Sequence, residues 1–430
     1  MTDRLVIHPA LTWTGGKFEA GRQIVVEPDG TFGDVGPAEA GATAWPDRAV
    51  MPGMVNAHSH AFQRGLRGSG ELFPGTAGSF WTWREAMYEL VEAMDEPTIY
   101  RLSHRAFTEM LRAGITTVGE FHYLHHDRTG GGYAFDEVVL RAAADAGIRI
   151  ALLSVFYKTG GIGTAMQGGQ LRFWTASLEE YWSQFDALAG VLDPRTQTLG
   201  VAAHSIRAVP LDLLESLHEE SRRRGLVFHM HVEEQPAEIA DCVAAYHASP
   251  MGVINSRLAI DERFCAVHCT HTAPGDMEAF IAAGGTVCVC PLTEANLGDG
   301  IPDLPGIAGL SDRVSLGTDS NLRISFADEM RLLEYAQRLR TGSRGVFLDH
   351  AGRCGAALWR AATVNGASAV GVDAGELRAG AAADFIALDL TAPALAGWTP
   401  DTLLDSFVFG AGSEVIADVY VNGVARLTSR

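Results

Sequence analysis

The run Ala49-Val50-Met51-Pro52-Gly53-Met54-Val55-Asn56-Ala57-His58-Ser59-His60 opens apolar and ends in two histidines spaced i and i+2. On a β-strand successive side chains point to opposite faces, so His58 and His60 share a face and can approach one cation together. One such pair is a weak signal, since two polar residues at a strand end have a bland reading. Its weight comes from the other apolar runs. These recur near 50–57, 115–121, 148–156, 198–203, 226–231, 264–268, 286–290 and 314–318. The segments 101–112, 136–146, 211–224, 276–283 and 328–340 between them carry helical periodicity, and several open on an Asp suited to cap a helix. Eight strands alternating with helices predict parallel βαβ units closed into a (β/α)8 barrel.

The chain ends read differently. Residues 1–48 and 377–430 hold short strands broken by turn sequences such as Glu27-Pro28-Asp29-Gly30 and Val421-Asn422-Gly423. They are expected to pair into one small β-sandwich domain flanking a catalytic barrel over 49–376.

Barrel enzymes build their sites at the C-terminal ends of the strands. The chain's polar residues gather there: His58 and His60 after strand 1, His122 and Tyr123 after strand 2, His204 and Arg207 after strand 4. Strand 5 ends in His229-Met230-His231-Val232-Glu233-Glu234, strand 6 in His268 and strand 8 in Asp319. A single buried histidine is more often a hydrogen-bonded core residue than a ligand. Histidines at five strand ends reverse that expectation and predict a metal site.

Composition narrows the partners. A formal charge of −19 argues against a nucleic-acid surface, which needs a basic stripe, and obliges any anionic substrate to be held by local arginines. No apolar run is long enough to span a membrane, and the N-terminus lacks a basic segment followed by an apolar one, so a cytoplasmic protein is expected. The six cysteines lie in or near apolar patterns, as reduced buried thiols do, and none is assigned to metal.

The pieces MVNAHSH (54–60), HMHVEEQ (229–235), AVHCTH (266–271), SLGTDSN (315–321) and GAAADFIAL (380–388) resemble the amidohydrolase superfamily across essentially the whole chain. The resemblance implies that His58, His60, His231 and Asp319 hold one divalent metal, and that Glu234, His268 and Asp319 handle protons and the attacking water. Three imidazoles and a carboxylate suit zinc, which lowers the pKa of a coordinated water towards about 7. Glu233 and Glu234 cannot both face the site if strand geometry persists, and the family spacing favours Glu234. His229 lies one pleat below His231, and His271 reads as a loop residue. The superfamily's two-metal members use a modified lysine, and only Lys17 and Lys158 occur here, so one ion is expected.

A narrower set, HSHAFQRG (58–65), WTWRE (81–85), FHYLHH (121–126) and AAHSIRAVP (202–210), resembles the branch of the superfamily that deiminates formimino amino acids. That implies hydrolysis of N-formimino-L-glutamate to N-formyl-L-glutamate and ammonia, a step of histidine degradation. Such a substrate carries two carboxylates. Arg207 and Arg84, the latter in an aromatic loop, suit their bidentate capture, with Gln63, Tyr123 and His204 completing the binding shell. A deaminase of guanine, cytosine or a related heterocycle is the rival reading, and a non-catalytic scaffold barrel the rival from another class. The stretch 64–94, rich in Phe and Trp, is read as a long loop suited to a homodimer contact, from which Arg84 can reach its own or a neighbouring chain's site.

Overall fold

The structure, a computed structural model, describes residues 4–69, 71, 80–128, 132–304 and 309–428. Barrel strand 1 is Met54–Ser59, and strands 2 to 8 are Ile115–His122, Arg149–Phe156, Gln197–Ser205, Phe228–Val232, Phe264–His268, Thr286–Val289 and Val314–Leu316. Each pairs in parallel with the next in sequence. The helices Glu96–Arg112, Ala134–Ala146, Leu178–Ala189, Leu211–Arg223, Pro236–Tyr246, Pro274–Ala282, Pro291–Leu297 and Phe326–Thr341 fall after successive strands, as the alternating pattern predicts. The seam between strands 8 and 1 is drawn together by backbone bonds: His60 N–H donates to Asp319 C=O (2.9 Å), and the Asp319 and Thr318 amides both donate to His58 C=O (3.0 Å each). The barrel is therefore all but closed.

The opening run is not one strand. Thr43–Pro52 belongs to a separate sheet, and strand 1 starts only after Gly53. A Cβ at residue 53 would lie 2.1 Å from Thr116 Oγ1, so only glycine lets the chain pass from one sheet to the other there. The continuous strand expected over 50–57 is thus two, because an apolar run carries no marker of which sheet receives each half.

The second sheet is built from both chain ends, with Phe385–Asp389 antiparallel to Thr43–Pro52 and Leu5–Trp13 parallel to it on the other side. The Arg149 guanidinium, at the base of strand 3, donates to both Asp384 oxygens (2.6 and 3.1 Å), and Asn422 N–H donates to the same carboxylate (2.7 Å). This buried bidentate pair fastens the sheet to the barrel floor.

Two local expectations are corrected. Asp136, Asp276 and Asp328 sit inside first turns and do not cap them; the caps are Tyr133, Ala273 and Ser325, and the Asp that does cap is Asp95, accepting from Thr98 N–H (3.0 Å). Within 64–94, Phe80–Ala93 is a helix, so Arg84 is helical and not in a loop. Residues 70 and 72–79 of that stretch lie outside the described residues. No described helix is long and apolar enough to cross a membrane, and all six cysteines are free.

Candidate active site

Strand pairing brings the histidines of strands 1, 5 and 6 and the aspartate after strand 8 to one point. His58 Nε2 lies 3.2 Å from both His60 Nε2 and His231 Nε2, and Asp319 Oδ1 lies 3.3 Å from His60 Nε2 and 3.6 Å from His58 Nε2. For His60 and His231 the tautomer follows from the far side of the ring, whereas His58 Nδ1 makes no hydrogen bond among the described residues. His60 Nδ1 faces Phe121 C=O and His231 Nδ1 faces His204 C=O, both at 2.9 Å. A carbonyl only accepts, so each Nδ1 carries the proton and each Nε2 points a bare lone pair inward. Burial depresses all three imidazoles, His58 to about 3, which keeps them neutral. Burial alone would raise Asp319, but the hydrogen bond from His58 and the fields of His60 and His268 hold it below the usual carboxylate range. The lone pairs of His60 and His231 and the Asp319 carboxylate, brought this close, repel unless a proton of His58 or a cation sits among them. Donors about 2.0–2.1 Å from a tetrahedral ion stand roughly 3.3–3.4 Å apart, close to the observed spacing. His58, His60 and Asp319 form one group that could hold a divalent ion. His58, His231 and His268 also form a group that could hold a metal.

Beyond strand 5 the chain turns sharply. Glu233 adopts φ +53°, and its carboxylate leaves the site to accept from Met251 N–H (2.9 Å). Glu234 is thereby directed inward, with Oε1 3.8 Å from His268 Nε2. His268 faces carboxylates on both sides: Nδ1 lies 3.3 Å from Glu294 and Nε2 3.9 Å from Asp319. Burial would discharge this ring, but Glu234, aided by Glu294 and Asp319, holds its pKa well above the ordinary value. Burial in turn raises the Glu234 carboxyl. Glu294 was missed in sequence because it lies on the short helix after strand 7, where no histidine marks the strand end.

Above this cluster opens a cavity of about 290 Å³, lined by His60, His231, Glu234, His268 and Asp319 at its base and by Gln63, Arg84, Tyr123, His204 and Arg207 on its walls. All five expected binding residues therefore border one space, and Arg84 does so from its own chain. Gln63 Nε2 donates to Tyr123 Oη (2.8 Å). Arg207 stands 4.0 Å from Glu234, and its Nε lies 3.8 Å from the buried Glu238, too far for a hydrogen bond. Burial, then the Arg207 charge, pushes His204 well below its ordinary pKa, so it is neutral. Tyr88 and Tyr157, which sequence reasoning did not single out, complete an aromatic wall.

Other histidines do not join. His229 Nε2 bonds Ala369 C=O (2.7 Å) below the cluster, His271 lies in a turn, and Lys158 binds the Ala176 carbonyl. His122 and His125 form a separate buried group, both facing Asp136 Oδ1 (3.0 and 2.9 Å), while His125 Nε2 faces Val155 C=O (2.9 Å). With acceptors at both nitrogens, His125 is an imidazolium. Against the cost of burial, Asp136 raises the His125 pKa and His125 lowers that of Asp136. The pair contributes fully below the ordinary His value of 6.5 and above the ordinary Asp value of 3.8, and fades as pH leaves that window on either side. Asp136→Asn should cost roughly 2–4 kcal/mol, under the full penalty of an orphaned buried charge because His125 can shed its proton. Urea midpoints at pH 6 and pH 8.5 check this, and a loss no larger at pH 6 would contradict the charged-pair assignment.

Comparison with known proteins agrees with this architecture. The Amidohydrolase family model matches residues 49–426. The chain is 37% identical over 409 residues to a formimidoylglutamate deiminase of Pseudomonas aeruginosa, covering 93% of this chain and 89% of that one. It is 26% identical to a 5-methylthioadenosine/S-adenosylhomocysteine deaminase of Moorella thermoacetica, covering 94% and 89%. A solved amidohydrolase structure from Brucella melitensis superposes with a TM-score of 0.91 at 34% identity, covering 99% of this chain and 95% of that one. A zinc-bound adenosine deaminase from Xanthomonas campestris, at 24% identity and a TM-score of 0.83, shares the fold. Barrel, strand-end histidines and family match together place the chain in the amidohydrolase family.

Proposed function

We propose that this chain hydrolyses N-formimino-L-glutamate to N-formyl-L-glutamate and ammonia, the reaction named for its Pseudomonas relative and a step of histidine degradation. The observation that carries the reading is the presence of two guanidinium groups, Arg84 and Arg207, in the same small cavity as the histidine–aspartate cluster. In a chain of formal charge −19, two arginines over an enclosed site suit a small dianion far better than a neutral heterocycle.

His58, His60, His231 and Asp319 hold one divalent ion, for which zinc suits the donor set. When bound, that ion supplies the positive charge that makes water acidic near neutral pH and polarises the formimino carbon. Glu234 takes the proton of the attacking water and delivers it to the terminal nitrogen. A C–O bond forms as the imino nitrogen gains that proton, then the proton of the added hydroxyl passes to the same nitrogen as the C–N bond breaks, the formyl C=O forms and ammonia leaves. His268, set between Glu234 and Asp319 with Glu294 behind it, supports the charge that develops on the added oxygen. Arg207 and Arg84 bind the substrate carboxylates, Gln63 and Tyr123 act as one hydrogen-bonded unit beside them, and neutral His204 orients the formimino group. The homodimer is part of the same proposal, and sedimentation at twice the 46.0 kDa chain mass is the expected result.

The test is ammonia release from N-formimino-L-glutamate set against N-formimino-glycine and guanine. Wild type should prefer the first. Arg207→Met should keep its metal and lose at least about tenfold in kcat/KM, since a charge-assisted contact in a desolvated pocket exceeds roughly 1.4 kcal/mol. Arg207→Lys should recover only part of this, lacking the planar fork. Guanine as the better substrate would overturn the reading in favour of a heterocycle deaminase.

A further inference from the structure

The helix Phe80–Ala93 carries Arg84 and Tyr88 one turn apart on the face that lines the cavity. Arg84 Nε lies 2.7 Å from Tyr88 Oη, and a guanidinium N–H can only donate. Gln170 Nε2 lies 3.0 Å from the same oxygen. The orientation of that amide is fixed independently, because Gln170 Oε1 accepts from Gln167 N–H (3.0 Å), which leaves the nitrogen to face Tyr88. The phenol oxygen thus accepts two hydrogen bonds, one from a cation. Its own proton has no acceptor among the described residues, and both of its lone pairs are engaged.

A hydroxyl that accepts twice, once from a charged donor, is polarised into a stronger donor itself. Its remaining direction opens on the cavity it lines. The occupant it seeks is an acceptor, and one bearing negative charge gains most. Depth decides which. Arg207 stands 4.0 Å from Glu234 and so lies beside the reacting centre, whereas Tyr88, on the helix Phe80–Ala93 between strands 1 and 2, meets Arg84, Gln170 and Phe173 and makes no hydrogen bond or ring contact with the histidine–aspartate cluster among the described residues. In a formimino amino acid the α-carboxylate is near the reacting group and the side-chain carboxylate is remote from it.

We propose that Tyr88, held by Arg84 and Gln170, donates its hydroxyl proton to the side-chain carboxylate of the substrate and so selects a dicarboxylic formimino amino acid. This rests on the deiminase reading above. Tyr88 is a specificity-determining residue, and Gln170 is a positioning residue acting through it.

The experiment is a cycle of two enzymes and two substrates. Wild type and Tyr88→Phe are assayed for ammonia release from N-formimino-L-glutamate and from N-formimino-L-norvaline, which keeps the α-carboxylate and replaces the remote one by a methyl group. For the glutamate compound the variant should lose at least about tenfold in kcat/KM, chiefly through KM. For the norvaline compound, turned over less efficiently by wild type, it should lose less than about twofold. Equal losses on both would make Tyr88 a packing residue and overturn the proposal, as would no loss on either. Absence of wild-type turnover of N-formimino-L-glutamate would overturn the deiminase reading and this role together, whereas brisk wild-type turnover with an unimpaired variant overturns only the role of Tyr88.

Discussion

Glu234→Gln should lower kcat by roughly two to four orders of magnitude while leaving the metal content of the protein unchanged, the span expected when a general acid–base group is lost. The amide preserves the shape of the side chain and its place beside His268, 3.8 Å away, but it neither takes a proton from water nor returns one to nitrogen. Raised by burial, the carboxyl is suited to exchange a proton nearer neutral pH than an exposed glutamate would. The measurement pairs steady-state ammonia release with elemental analysis of the same preparation. A variant of near-normal rate would move the proton transfer to His268, because Glu233 is committed to Met251 N–H on the far side of the turn.

His231→Ala should abolish both tight metal binding and turnover, from about one divalent ion per chain to a small fraction. His231 supplies one of the bare lone pairs aimed at His58 Nε2, and without it the remaining donors no longer enclose the ion. Asp319 offers a sharper comparison. It sits at φ +46°, a conformation costly for alanine and tolerated by asparagine, so Asp319→Asn removes the charge with less backbone strain than Asp319→Ala. Both variants should lose metal, and the asparagine form should keep the higher melting temperature. Metal-free wild type with full activity would sink the assignment.

The barrel was legible because each strand is a short apolar run that ends in a chemically distinct residue, and the period of the helices between them is long enough to count. The residues that cluster at the barrel mouth were legible for the same reason: His58, His60, His231, His268 and Asp319 all stand where an apolar run stops. What sequence could not give were side chains whose direction depends on a turn or a neighbour. Glu233 and Glu234 differ only through one left-handed residue. Asp136 looked like a helix cap and is instead spent on His122 and His125, because a cap and a buried counter-ion need the same short carboxylate. The break at Gly53 was invisible because both sheets ask for the same apolar residues. Tyr88 and Gln170 meet only through the fold, 82 positions apart, and no motif links them.

The seam of the barrel and the floor of the site are made from the same few residues. His58 and His60 offer the backbone that strand 8 needs to complete the ring, and their side chains are the ones Asp319 must meet. A slip of one position between the first and last strands would turn Asp319 to the opposite face and, in the same movement, misalign the hydrogen bonds that finish the cylinder. The cylinder therefore shuts in the alignment that assembles the site, and a chain that has completed its fold has also set the spacing of its ligands. Side chains there can be exchanged one at a time over evolutionary descent, altering chemistry without touching the closure, but an insertion or deletion between Leu316 and Asn321 would sacrifice architecture and activity at once.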